Sequence, residues 1–390
     1  YVSSSESGAV PFTTSASSRA QPSRCAQPPI STQTKSIAAS NPAESAWWSA
    51  GATLVVSCLR REARDRMLDV YAAMRAAPFE STVAPVRLFA ASRVAVHLCA
   101  AGFFPEADLL LETIHADLAR LASPDPATLG AVRSAEGMRA LCAGDVAGCY
   151  AAMQAAVELF QTAGDLRNAS INESNLGFCA SELGAYADAE RALTAASARA
   201  AQLGLLAVEL STQHNLGYVL LRLGRYDEAR AVERASADAF EAQGDRRVAG
   251  GSRIYLALIA LETGDFVEAE LQISRALAIL SDTPPVRAFA LAVQSKIRLA
   301  RGLAGEARAA AAEASALLGD LGAMEQGESL VRLMEAETLL AIGDREAGLA
   351  AAATARERLL ERARKLSDER LRRSFLEAVP ENVRTLAMTA

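Results

Sequence analysis

The chain has 390 residues, more than one hydrophobic core usually serves, so it is either several domains or one architecture that grows by repetition. Hydrophobic residues make up 51%, with Ala dominant and aromatics at only 5%, a composition that packs helices closely and offers few β-formers. Forty basic against 46 acidic side chains leave a net charge of −6, which argues against nucleic acid or an anionic membrane as a partner of the whole chain.

Residues 1–45 are a Ser/Thr/Ala/Pro/Gln mixture in which Pro11, Pro22, Pro28, Pro29 and Pro42 break every helix, so a disordered linker is expected there. The chain starts at Tyr1 and not at a methionine, and we expect it to be a piece of a longer protein. No signal peptide or membrane-length apolar run is present. Cys25, Cys58, Cys99, Cys142, Cys149 and Cys179 form no CxxC pair, and five of them sit in apolar helical segments. They read as reduced core thiols of a soluble, cytoplasmic protein.

From Trp47 onward apolar residues recur at helical spacing, and turn glycines reveal a period: Gly102, Gly144, Gly184, Gly224, Gly264, Gly302 and Gly343, with gaps of 38 to 42 residues. Two residues after them stand Phe104, Val146, Tyr186, Tyr226, Phe266, Ala304 and Arg345; five after them stand Ala107, Cys149, Ala189, Ala229, Ala269, Ala307 and Gly348. The pattern predicts helical hairpins: glycine makes the turn, the ring plugs the gap beneath it, and the small residue lets two helices approach. Gly164, Gly204 and Gly244 lie midway and mark the joints between hairpins. One period upstream, a turn is expected near Arg60 to Glu62. The fold class is therefore all-α, a solenoid of about eight antiparallel hairpins over residues 46–355 with a period near 40. Residues 356–390 are expected to add a capping helix and tail, with Leu359, Leu360, Leu366, Leu371 and Phe375 on its apolar face and its charges solvated opposite.

Asn175-Leu176-Gly177 with Leu183-Gly184-Ala185-Tyr186 and Ala189, and Asn215-Leu216-Gly217 with Leu223-Gly224-Arg225-Tyr226 and Ala229, resemble the tetratricopeptide signature in its long-repeat bacterial form. The whole segment from Trp47 to the end, including residues 374–382, is similar to the C-terminal repeat regions of large bacterial serine/threonine kinases and ATPase-coupled signalling regulators. That resemblance implies a sensing or docking arm in signalling, and as an alternative the regulatory part of a kinase or nucleotide-dependent regulator whose catalytic domain lies upstream. The residues themselves hold no GxxxxGK[ST] loop and no HRD or DFG triplet, and His97, His115 and His214 stand apart from any metal-ligand spacing. We expect no enzyme activity, cofactor or metal. Gly-Asp pairs such as Gly164-Asp165 and Gly264-Asp265 read as helix caps, not calcium loops.

Asn175 and Asn215 stand nine residues before their turn glycines; the same position holds Arg93, Ala135 and Tyr255 in other units. Asn is a mediocre helix former, so its repetition asks for a tertiary reason. The resemblance places this position on the concave face, where an amide both donates to and accepts from an extended peptide. Phe178 and Tyr218 would add apolar contact, and Glu182 and Arg222 charge. The candidate groove is thus Arg93, Asn175, Phe178, Glu182, Asn215, Tyr218, Arg222 and Tyr255, with a protein or peptide as partner. The competing reading is that each Asn merely bonds the neighbouring helix.

Overall fold

The computed structural model describes residues 45–60 and 63–388, so the expected linker over residues 1–45 lies almost wholly outside the described residues. Among the described residues are eighteen α-helices, one short 3-10 turn and no strand. Sixteen helices pair into eight hairpins: α1 (Ser45–Arg60) with α2 (Arg64–Ala76), α3 (Ala84–Ala100) with α4 (Phe104–Leu118), α5 (Pro126–Cys142) with α6 (Val146–Thr162), and α7 (Leu166–Glu182) with α8 (Tyr186–Gln202). The series continues with α9 (Leu206–Arg222) and α10 (Tyr226–Gln243), α11 (Arg246–Glu262) and α12 (Phe266–Ile279), α13 (Pro284–Ala300) and α14 (Ala304–Leu321), and α15 (Glu328–Ala341) and α16 (Arg345–Arg364). Two short helices follow, α17 (Glu369–Glu377) and α18 (Pro380–Ala387). The chain is an α-solenoid.

The local logic is as the sequence implies. All seven turn glycines of the hairpins have φ between +72° and +91°, a left-handed conformation that a β-carbon disfavours. The small residues five positions on are fully buried between paired helices, Ala107, Cys149, Ala189, Ala229, Ala269 and Ala307 among them. Asp145, Asp165, Asp245, Asp265 and Asp344 each cap a helix, the carboxylate accepting from a backbone N–H three residues on. The rings after the turns are less uniform than expected: Phe266 stays 38% exposed. The five described cysteines are buried and free. No helix among the described residues is long and apolar enough to cross a membrane.

The C-terminal end differs from the expected cap. Residue 356 falls inside α16, which runs to Arg364; the chain then bends, and Asp368 restarts it by capping α17 through Leu371 N–H at 3.0 Å. Leu359, Leu366, Leu371 and Phe375 are buried as the apolar face requires, but the charges opposite are not all solvated. Arg358 Nε donates to Glu328 at 3.0 Å, and Arg362 stacks over Phe375 at 5.4 Å.

This end reaches back across the superhelix. Leu371, Phe375 and Val379 join Leu183, Ala185 and Ala189 of the fourth hairpin in one core, and Arg370 pairs with Asp188. The turn at Gly144 of the third hairpin lies against Glu328 and Arg358 of the eighth, and Arg64 in α2 donates to Asp282 O, between α12 and α13, at 2.9 Å. Hairpins five or six units apart touch, so the solenoid closes one superhelical turn around an internal space.

Candidate functional site

The first helices of seven hairpins, α1, α3, α5, α7, α9, α11 and α13, form most of the lining of a cavity of about 800 Å³, completed by Arg64 and Met67 of α2, Met153 and Phe160 of α6, and Glu325 and Gln326 between α14 and α15. The volume falls within the range of about 300–1,000 Å³ typical of ligand sites. First helices face inward because each hairpin stacks on the last with the same helix inside. The position nine residues before the turn glycine obeys this: Arg93, Asn175, Asn215 and Tyr255 all line the cavity, whereas Ala135 is fully buried between helices.

The two asparagines behave differently. Asn215 Nδ2 donates to Ser174 Oγ on α7 at 3.2 Å, as the competing reading expected. The amide of Asn175, half-buried on the cavity wall, has no hydrogen bond among the described residues. One turn earlier on α7, Asn172 donates through Nδ2 to Asn168 O at 2.8 Å, which leaves Oδ1 as an acceptor that is buried and unpartnered. Ser92 Oγ, also on the wall, is buried without a partner. Buried polar atoms normally find a partner, so these two mark unused hydrogen-bonding capacity on this wall. Phe178 supplies apolar surface beside them.

Glu182, Tyr218 and Arg222 do not join this wall. They line a separate void of about 30 Å³ closed by the start of α15 and by α17 and α18. Arg222 Nη2 donates to Tyr218 OH at 2.9 Å and to Glu381 at 3.0 Å. Burial pushes the Glu182 carboxyl up to about 7, against the pull of Arg222. These three residues lie toward the C-terminal ends of α7 and α9, where the closing helices cross, so they anchor the closure and are not open groove.

His214 is packed, as its isolation in the sequence suggested, but it also faces the cavity, which the sequence reading missed. Its ring stacks on Tyr255 at 4.9 Å, and Tyr255 stacks on Tyr218 at 4.9 Å. Nδ1 lies 3.0 Å from Glu233 and 2.9 Å from Ser252 Oγ. Hydroxyl and carboxylate address the same ring nitrogen, so the trio is not the relay in which base and orienting acid sit on opposite nitrogens. Glu233 is fully buried, which raises its pKa; His214 opposes the shift. Arg167, one turn and more ahead of Asn172 on the same helix, also lines the cavity and was not foreseen. Its spacing of eight from Asn175 is the signal that could have found it.

No family model matches the chain, and no curated protein does. Solved structures of this architecture do. The chain is similar to a Rap protein complexed with competence and sporulation factor, at 10% identity and TM-score 0.63 over 88% of this chain and 98% of that one. It is also similar to the Rap conjugation gene regulator of plasmid pLS20 in complex with the Phr* peptide, at 13% identity and TM-score 0.53 over 87% and 98%. A third match is Cut9 in the APC/C hetero-tetramer Cut9-Hcn1, at 15% identity and TM-score 0.53 over 89% of this chain and 58% of that one. At such identities the likeness is one of fold, and the fold is the tetratricopeptide-like helical solenoid.

Proposed function

We propose that this chain is a non-catalytic receptor that holds a short extended peptide, free or part of a partner protein, inside its closed solenoid, as a sensing arm of bacterial signalling. The observation that carries the reading is the unpaired amide of Asn175 beside the free Oδ1 of Asn172 and the amide of Asn215 on one cavity wall. Side-chain amides at successive turns match the alternating donors and acceptors of a peptide backbone. Two of the structures with this fold are complexes, one with competence and sporulation factor and one with the Phr* peptide, which supports a peptide ligand here. Five buried free thiols agree with a cytoplasmic setting.

The test is Asn175→Ala, measured for melting and for capture of peptides from a synthetic library identified by mass spectrometry. Capture should fall with melting unchanged, because the amide holds no other group in the fold. Asn215→Ala should reduce both, losing in stability about 0.5–1.5 kcal/mol for the Ser174 bond. Undiminished capture by Asn175→Ala would place the ligand elsewhere. That the arm serves a kinase or ATPase-coupled regulator rests only on the resemblance of the segment from Trp47 to the end; it is tested by whether peptide binding changes phosphoryl transfer or ATP turnover by an enzyme domain encoded with it.

A further inference from the structure

The protein carries a net charge of −6, yet the cavity wall holds five guanidinium groups against three carboxylates. Those carboxylates are engaged: Asp245 caps α11 through Val248 N–H at 3.2 Å, Glu325 pairs with Arg247, and Asp282 Oδ2 accepts from Ser281 Oγ at 3.2 Å. Arg64 is held by neutral acceptors, Asp282 O at 2.9 Å and Ala101 O at 2.7 Å. Arg93 on α3 and Arg167 on α7 have no hydrogen bond or ion pair among the described residues, although both line the same cavity. They stand near enough to repel: partial desolvation, and then Arg167, lower the affinity of Arg93 for its proton. Two exposed like charges thus face one space from helices of different hairpins, with donors that no protein group takes up and that an anion can bridge.

We propose that the cavity selects a peptide bearing a carboxylate, which Arg93 and Arg167 clasp from the first helices of two hairpins; the inference rests on the peptide reading above and assigns the ligand's charge. Guanidinium forks suit a carboxylate because two parallel N–H donors meet two oxygens. The neighbouring atoms complete the site. Ser92 Oγ, buried next to Arg93 in sequence and without a partner, can donate to the same carboxylate. Asn172 Oδ1, a turn along α7 from Arg167, is fixed as an acceptor and takes an N–H of the peptide backbone. The carboxylate has two sources in a peptide, its C-terminus or an Asp or Glu side chain.

The experiment offers the full chain short N-acetylated peptide mixtures, each drawn from the same uncharged residues. One ends in a free carboxylate, one is amidated and contains a single Glu, one is amidated without any ionisable group, and one is amidated with a single Lys. Peptides co-eluting with the protein on gel filtration are counted by mass spectrometry. A carboxylate-bearing mixture should be retained at least about tenfold over the neutral one, the worth of one charge-assisted hydrogen bond, and the mixture that wins identifies the source. Arg93→Gln combined with Arg167→Gln should erase the preference and leave melting intact, since both side chains are exposed to the cavity. Equal retention of the neutral or Lys mixture, or an undiminished preference in the double variant, overturns the carboxylate assignment while leaving a peptide receptor. Retention of no mixture at all removes the peptide reading and this proposal with it.

Discussion

Gly217 lies in the interior of α9, where alanine would normally stabilise a helix by about 0.5–1 kcal/mol. Here the added carbon would sit 2.8 Å from Glu233 Cδ and closer still to its Oε1. Glu233 is fully buried on α10 and is held by His214 at 3.0 Å, so the carboxylate has no solvent to swing into. Displacing it breaks that bond and leaves a buried charge or polar acceptor unpaired, which costs about 3–5 kcal/mol, several times the helix-propensity gain. Gly217→Ala should therefore destabilise by about 2–4 kcal/mol net and loosen His214 on the cavity wall. The control is Gly319→Ala, on the exposed side of α14, where nothing lies within 4 Å of the added carbon; it should stabilise slightly. Chemical denaturation followed by circular dichroism compares the two, with Gly217→Ala/Glu233→Ala as the third arm, in which the clash is gone. A Gly217→Ala protein as stable as its parent, or equal losses in single and double variants, would refute the packing argument.

Other outcomes follow from single side chains. Asp265→Ala removes the acceptor for Glu268 N–H at 3.0 Å and should cost about 0.5–2 kcal/mol, with Asp265→Asn nearly neutral, both read from denaturation midpoints. Glu182 is held up to about 7 by burial against an ordinary 4.5, so between those values the folded chain binds the extra proton. Stability should therefore fall as pH rises from about 4.5 to 7 and level off above, and Glu182→Gln should flatten that slope; a parent whose melting rises across the window would contradict the assigned burial.

Seven of the eight hairpins are legible in the sequence because each of their turns repeats the same constraint: a glycine at positive φ, a small residue five later, and often an aspartate to cap; the first, expected to turn near Arg60 to Glu62, follows from the period alone, and residues 61–62 lie outside the described residues. The inward face is legible for the same reason, since helix phase is set by the turn, and Arg93, Asn175, Asn215 and Tyr255 share it. What is not legible is the closure. It depends on the small rotation between successive hairpins, a quantity of backbone packing that accumulates over the array and leaves no local motif. Hence Glu182, Tyr218 and Arg222 look like open groove in the sequence and prove to be covered by α17 and α18. Arg167 is not legible because it stands in the first turn of α7, away from the turn glycine that sets the repeat positions. Arg362 escaped because a charge-rich segment on an amphipathic helix reads as solvated, whereas its guanidinium stacks on Phe375.

Closure also joins the cavity to the end of the chain by direct bonds. Tyr255, on the wall, donates to Gln326 Oε1 at 2.8 Å, and Gln326 Nε2 donates to Glu182 at 3.2 Å. Arg222 lies beside Glu182 and donates to Glu381 at the start of α18. Each of these groups is a hydrogen-bonding partner or charged neighbour of the next, and most are withdrawn from water, so displacing any one strands the others at the price of a buried unpaired group. The stack of His214, Tyr255 and Tyr218 runs parallel to it with rings 4.9 Å apart. A peptide that touches Tyr255 therefore meets a side chain already coupled to the segment that seals the solenoid. The fold thus puts its cavity wall and its C-terminal closure in one connected set of contacts, an arrangement that an open array of the same hairpins would lack.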